Sequence, residues 1–221
     1  MSKIHVYFMP GMAASPSIFE RIQLSVETFE IHLLEWVSPK KSESLKGYAK
    51  RMSENVKHEN VILVGVSFGG ILVQEMKSFV NPKKVIIISS VKSNSELPQR
   101  MKIAKTTKAY KLIPTKLFEN IELLAKYTFG SSILKQKIKL YEKFLFVRDK
   151  VYLDWAIEQI INWDRTEIDN EIIHIHGEAD EVFPIKHIKK CIIVKGGTHI
   201  MILTKYRWLN ENLPKIMLEN G

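Results

Sequence analysis

Gly65-Val66-Ser67-Phe68-Gly69, a G-x-S-x-G stretch, joins the apolar run Val61-Ile62-Leu63-Val64 to the segment Gly70-Ile71-Leu72-Val73-Gln74-Glu75-Met76. The first flank reads as a buried strand and the second as a helix. A strand that turns at once into a helix holds its apex residue in a strained backbone conformation, with the side chain projecting from the strand end. Here the apex residue is Ser67. Glycines two positions either side suit that turn, because a Cβ there would collide with crowded backbone. Gly70 fits as well, letting the helix pack close to the strand. A Gly-rich strand-to-helix turn can also cradle phosphate at the helix N-terminus, so this stretch alone leaves two readings open.

Two downstream segments favour the first. Ile172-Ile173-His174-Ile175-His176 has a strand pattern and runs into Gly177-Glu178-Ala179-Asp180-Glu181-Val182-Phe183-Pro184. Cys191-Ile192-Ile193-Val194 is a second short apolar strand, expected to be buried, followed by Lys195-Gly196-Gly197-Thr198-His199. Ser67, Asp180 and His199 thus follow one another in the chain, each just past the end of a separate strand. In an open parallel sheet those ends share one edge, where sites form. A serine hydroxyl needs an adjacent base to act as a nucleophile at neutral pH. His199 supplies the base, and Asp180 the carboxylate that orients and stabilises its charged form.

With G-V-S-F-G, H-G-E-A-D (His176 to Asp180) and G-G-T-H (Gly196 to His199), the chain resembles a small member of the α/β-hydrolase superfamily. A fourth matching piece is Phe8-Met9-Pro10-Gly11-Met12 after the strand Ile4-His5-Val6-Tyr7-Phe8. Many relatives carry His-Gly where this chain has Pro10-Gly11, so the turning glycine is kept and the histidine is not. The resemblance implies an oxyanion hole made by the backbone N–H groups of Met12 and Phe68. It implies that His176 braces the acid loop, and that the chain starts at what is the third strand of a full-length member. It also implies that the insertion at residues 92–150, which interrupts the alternation, forms a helical cap over the site. Helical periods fall near 101–110, 115–127 and 131–146, with Ile113, Leu117, Phe118, Leu124, Phe129 and Phe144 as candidates for its underside.

The expected fold class is α/β: a mostly parallel sheet of about six strands with helices on both faces, in one domain spanning 1–221. Strands are expected over 4–8, 29–34, 61–64, 85–89, 172–176 and 191–194. Helices are expected over 17–24, 44–56, 68–79, 151–162 and 200–219. A chain of 221 residues with 45% hydrophobic residues can bury one substantial core. No apolar run is long enough for a membrane span. A strand begins within a few residues of Met1, which leaves no room for a signal peptide, and Cys191 is the single cysteine. Both fit a cytoplasmic location. The net charge of +9 is lysine-rich and dispersed, without a nucleic-acid motif. It reads as a solvated surface that can steer an anionic substrate.

His5, His32, His58, His174 and His187 carry no motif and read as structural or exposed. No Cys/His spacing suggests a metal site, and no cofactor is expected. Glu181 adjoins Asp180 as a rival acid; Asp154, Asp164 and Asp169 are weaker rivals. Trp36 follows a strand end and Trp163 precedes one; either can reach the pocket, with core packing the simpler role. Ser15 and Thr198 flank the site as ordinary loop hydroxyls. The function expected is a serine hydrolase that cleaves a small or medium ester, thioester or amide, a small-molecule substrate, through an acyl-enzyme. A lyase or acyltransferase on the same residues, or a non-catalytic small-ligand-binding protein, are the alternatives.

Overall fold

A computed structural model describes residues 2–112 and 149–219. Its centre is a six-stranded sheet with order β2-β1-β3-β4-β5-β6, every neighbouring pair parallel. The strands are β1 (Ile4–Met9), β2 (Phe29–Leu33), β3 (Val61–Val66), β4 (Lys84–Ile88), β5 (Ile173–Gly177) and β6 (Ile192–Val194). The central strands are nearly continuous runs of Val, Ile and Leu, as strands buried on both faces must be. Alternation divides them: Tyr7, Met9, Val61 and Leu63 face one core, while Val6, Phe8, Ile62 and Val64 face the other.

The helices fill both faces. Helix α1 (Leu45–Ser53) starts at Ser44, whose hydroxyl accepts from the Gly47 N–H, and α2 (Phe68–Val80) follows the elbow directly. Together with α4 (Lys150–Asn162) they cover the first face; α5 (Met201–Thr204) and α6 (Tyr206–Leu218) cover the second. Helix α3 (Gln99–Thr107) and a 3-10 turn at Ala109–Leu112 carry the chain out of the sheet. The expected helices over 115–127 and 131–146, and the six apolar residues Ile113, Leu117, Phe118, Leu124, Phe129 and Phe144, lie outside the described residues.

Three expectations need revision. The helix expected over 17–24 is only a 3-10 turn at Pro16–Phe19. The one expected over 200–219 is two helices, broken at Lys205. Strand β6 is an edge strand with Ile192 and Ile193 exposed, so its apolar sequence overstates its burial.

The chain runs from β1 outward to β2, then returns across β1 to β3, so the order reverses between β1 and β3. Loops after those two strands flank a topological switch point, the crevice where ligands of open α/β sheets bind.

Candidate active site

Ser67 sits at the apex between β3 and α2 with φ 54° and ψ −119°, a conformation that costs a non-glycine residue on the order of 1–3 kcal/mol. Neighbouring strands hold it there. The Ser67 N–H donates to the Ile88 carbonyl (2.9 Å), and the Ser90 hydroxyl donates to the Ser67 carbonyl (2.7 Å). The flanking glycines are required by contact: a Cβ on Gly65 would lie 2.3 Å from the Gly69 oxygen, and one on Gly69 would lie 2.3 Å from the Pro10 oxygen. Gly70 packs close to β3 as expected: a Cβ on Gly65 would lie 2.7 Å from its Cα, and a Cβ on Gly70 itself would also lie 2.5 Å from the Ser90 hydroxyl after β4.

Asp180 and His199 approach from the loops after β5 and β6. Those loops are locked together where Gly177 meets Gly197: a Cβ on Gly177 would lie 2.4 Å from the Gly197 oxygen, and that oxygen accepts from the Ala179 N–H (2.8 Å). His199 Nδ1 then stands 2.9 Å from Asp180 Oδ2, and His199 Nε2 stands 2.9 Å from Ser67 Oγ. The structure thus brings the three expected residues into one continuous hydrogen-bonded chain. Because a carboxylate can only accept, Nδ1 carries a proton in this arrangement. Nε2 is then the lone pair facing the Ser67 hydroxyl.

The Asp180 side chain is fully buried, and its Oδ1 accepts from the Val182 and Phe183 N–H groups (2.8 and 2.9 Å). Burial pushes its carboxyl pKa up. The His199 ring, its hydrogen bond, the Phe183 N–H and His176 outweigh burial and hold it below the ordinary value. Behind it lies a second relay. His176 Nε2 donates to the Phe183 carbonyl (2.8 Å), so in the neutral ring Nδ1 accepts, and His174 Nε2 is its donor (3.0 Å). Burial lowers the pKa of both histidines, His174 most.

The loop after β1 closes the other side. A Cβ on Gly11 would touch the Ser67 Cβ at 3.4 Å, so this loop lies against the serine. The Gly11 carbonyl accepts from Trp36 Nε1 (2.8 Å) and from the Ala14 N–H (3.1 Å). The same peptide plane contains the Met12 N–H, pointing opposite to that carbonyl, so Trp36 fixes its direction. The Trp36 ring also stacks on Phe68, with centroids 4.9 Å apart and planes 7° apart. One indole therefore bridges the two residues expected to donate to an oxyanion. Sequence reading places Trp36 between pocket and core from its position after a strand end, and gives no sign of its bond to the Gly11 carbonyl. Phe183 is a second residue it missed, with its N–H on Asp180 and its ring edge-on to His199 at 5.5 Å.

The rival residues are elsewhere. Glu181 and Asp164 are exposed, Asp154 pairs with Lys150, and Asp169 pairs with Lys77. The Ser15 hydroxyl bonds to that of Ser17. On the side toward the insertion, Tyr110 packs with Ile157 and Ile161 of α4, and Met12 packs against that cluster.

No family model matches the sequence, and no curated protein matches it. Solved structures do match the fold. The enol-lactonase from Burkholderia xenovorans LB400 aligns over 99% of this chain and 93% of its own, with TM-score 0.72 and 10% identity. A thermophilic esterase from Thermogutta terrifontis aligns over 98% and 90%, with TM-score 0.68 and 10% identity. A bromoperoxidase from Bacillus anthracis aligns over 99% and 93%, with TM-score 0.67 and 17% identity. The chain has the α/β-hydrolase fold.

Proposed function

We propose that this α/β-hydrolase-fold chain is a serine hydrolase acting on a small or medium carboxylic ester, thioester or amide. The observation that carries the reading is the unbroken chain from Ser67 Oγ through His199 to the buried Asp180 carboxylate. In the first half-reaction His199 Nε2 takes the hydroxyl proton as Ser67 Oγ attacks the carbonyl carbon. The tetrahedral oxyanion faces the Met12 and Phe68 N–H groups. His199 passes the proton to the leaving group, which departs and leaves an acyl-serine. Water, deprotonated by the same ring, hydrolyses that ester and restores Ser67. Asp180 stays ionised throughout, since its surroundings favour the charged form, and it offsets the charge on the imidazolium. The N–H groups from the two loops supply about 3–4 kcal/mol of transition-state stabilisation each, the usual loss on removing one donor.

The two neighbours named esterase and enol-lactonase support acyl-transfer chemistry, and the bromoperoxidase warns that fold alone does not decide it. A fluorophosphonate probe tests the nucleophile directly. The expected result is one covalent adduct on Ser67 of the wild type and none on a folded Ser67→Ala variant. Unlabelled, folded wild type would instead mean a binding protein. Product analysis on acyl esters of graded length then separates hydrolysis from acyl transfer and measures the chain length the site accepts.

A further inference from the structure

Far from Ser67, the sheet gathers three histidines and a glutamate. His5 on β1 and Glu30 on β2 occupy paired positions in the parallel register, and the next same-face pair is Tyr7 with His32. His58, in the segment before β3, folds over them. Its ring lies 3.8 Å from that of His5 and 4.5 Å from that of His32. One ligand atom from each of His5, Glu30, His32 and His58 lies within 4.8 Å of all the others. His5 Nδ1 is 3.0 Å from His32 Nε2, and the Glu30 oxygens are 3.8 and 3.7 Å from those two nitrogens.

We propose that His5, Glu30, His32 and His58 bind one late first-row divalent metal ion, zinc foremost, at the amino-terminal end of the sheet. Four ligands at zinc's usual bond lengths of about 2.0–2.2 Å sit roughly 3.3 Å from one another in a tetrahedron. The three separations quoted straddle that value. His5 and His32 share one N–H···N bond, and the Glu30 oxygens lie beyond hydrogen-bond reach of both nitrogens. A cation held by one atom of each residue would replace that single bond with four. Closing the site requires the His58 ring to tilt off its parallel stack on His5, a small motion for an exposed segment. The donor set of three imidazoles and one carboxylate suits zinc, cobalt, nickel or copper. Calcium and magnesium want oxygen ligands.

The surroundings supply the outer support such sites use. The Tyr7 hydroxyl bonds His58 Nδ1 (2.6 Å) and accepts from the Lys57 N–H (3.1 Å), so it orients the ring and leaves Nε2 as the ligating atom. The site opens to solvent along a groove lined by Tyr7, His32, Met52, Asn55 and His58. It is remote from the chemistry. His5 pairs with Val61, six residues before Ser67, which at strand rise is roughly 20 Å away. A metal here would tie the edge strand β2 to β1 and to the segment entering β3, stabilising the fold without touching a substrate.

The test uses the full chain stripped of metal. Zinc is titrated against a chromophoric chelator, cobalt is followed by its visible d–d absorption, and thermal unfolding is recorded with and without zinc. The expected result is one zinc per chain, a tetrahedral cobalt spectrum and a raised Tm. Tyr7→Phe lowers affinity roughly 10–100-fold, and His32→Ala or the near-isosteric Glu30→Gln lowers it further. His187→Ala, at a histidine outside the cluster, binds as wild type. The proposal is overturned if folded wild type takes up no stoichiometric zinc, or if Glu30→Gln and His32→Ala both bind as tightly as wild type. Fluorophosphonate labelling of Ser67 is expected with or without zinc, so the two readings fail separately.

Discussion

The hydroxyl of Ser67 is ordinary until its neighbours act on it, and each neighbour can be removed singly. Ser67→Ala removes the nucleophile and leaves the elbow, so hydrolysis of a p-nitrophenyl ester should fall at least about 10⁴-fold with the fold intact. Asp180→Asn offers His199 an amide in place of a carboxylate, with loss of the fixed tautomer and of the charge opposite the imidazolium. A fall in kcat of about 10³–10⁴-fold is expected. Trp36 acts at one remove, through the Gly11 carbonyl that it holds at 2.8 Å. Trp36→Phe keeps an aromatic ring beside Phe68 and deletes the N–H together with part of the buried indole, so some loss of Tm accompanies it in either case and kcat of the folded enzyme is the deciding readout. The expected loss is in kcat, smaller than the ~10²–10³-fold loss of a whole oxyanion donor, with KM nearly unmoved. A purely structural role for Trp36 would lower Tm and leave kcat of the folded enzyme unchanged. His5, His32 and His58 show the opposite problem of inference. Nothing in their spacing unites them, because it is strand register that sets His5 beside Glu30 and Tyr7 beside His32.

Among the elements, β5 carries the most unusual load: His174 and His176 point into the protein on a strand whose other residues are Ile173, Ile175 and Gly177. Burial lowers both pKa values below 6.5, so the unfolded chain binds these protons at a pH where the folded chain does not. Stability therefore falls as pH drops below about 6.5, by up to ~1.4 kcal/mol per pH unit for each histidine, until the folded-state values are reached. Urea midpoints at pH 7.5 and pH 5 measure this. His174→Gln, which keeps a donor toward His176, should flatten the slope; parallel curves for variant and wild type would refute the assignment. Sequence patterns located all six strands to within about two residues, since long apolar runs bounded by turns have few other readings. The elbow, H-G-E-A-D and G-G-T-H were equally legible, because each is a short segment whose glycines answer a backbone contact or, at Gly196, a positive φ. What escaped reading depends on tertiary placement. The exposed face of β6 comes from its position at the sheet edge, and the break at Lys205 divides a continuous helical period. The Trp36–Gly11 bond joins residues twenty-five apart in the chain.

Across the whole molecule, the sheet brings the loops after β1, β3, β5 and β6 to one rim, and the chain presents a net charge of +9 to whatever approaches that rim. The excess comes from 33 Lys and Arg against 24 Asp and Glu, spread along the sequence. Dispersed charge of one sign acts at a distance and enriches oppositely charged solutes near the surface. The Debye length sets how far it reaches: about 30 Å in 10 mM salt, comparable to the molecule, and under 10 Å in 0.5 M salt. An ester with a carboxylate on its acyl chain should therefore show a kcat/KM that falls several-fold as sodium chloride rises from 10 mM to 0.5 M. Its neutral analogue of equal length should change little. Because salt also alters hydrophobic burial of the acyl chain, the ratio of the two kcat/KM values is the quantity to follow, since that contribution divides out. A ratio independent of salt would show that the lysines are solvated too far from the rim to matter, and that acyl selection rests on contact within the pocket.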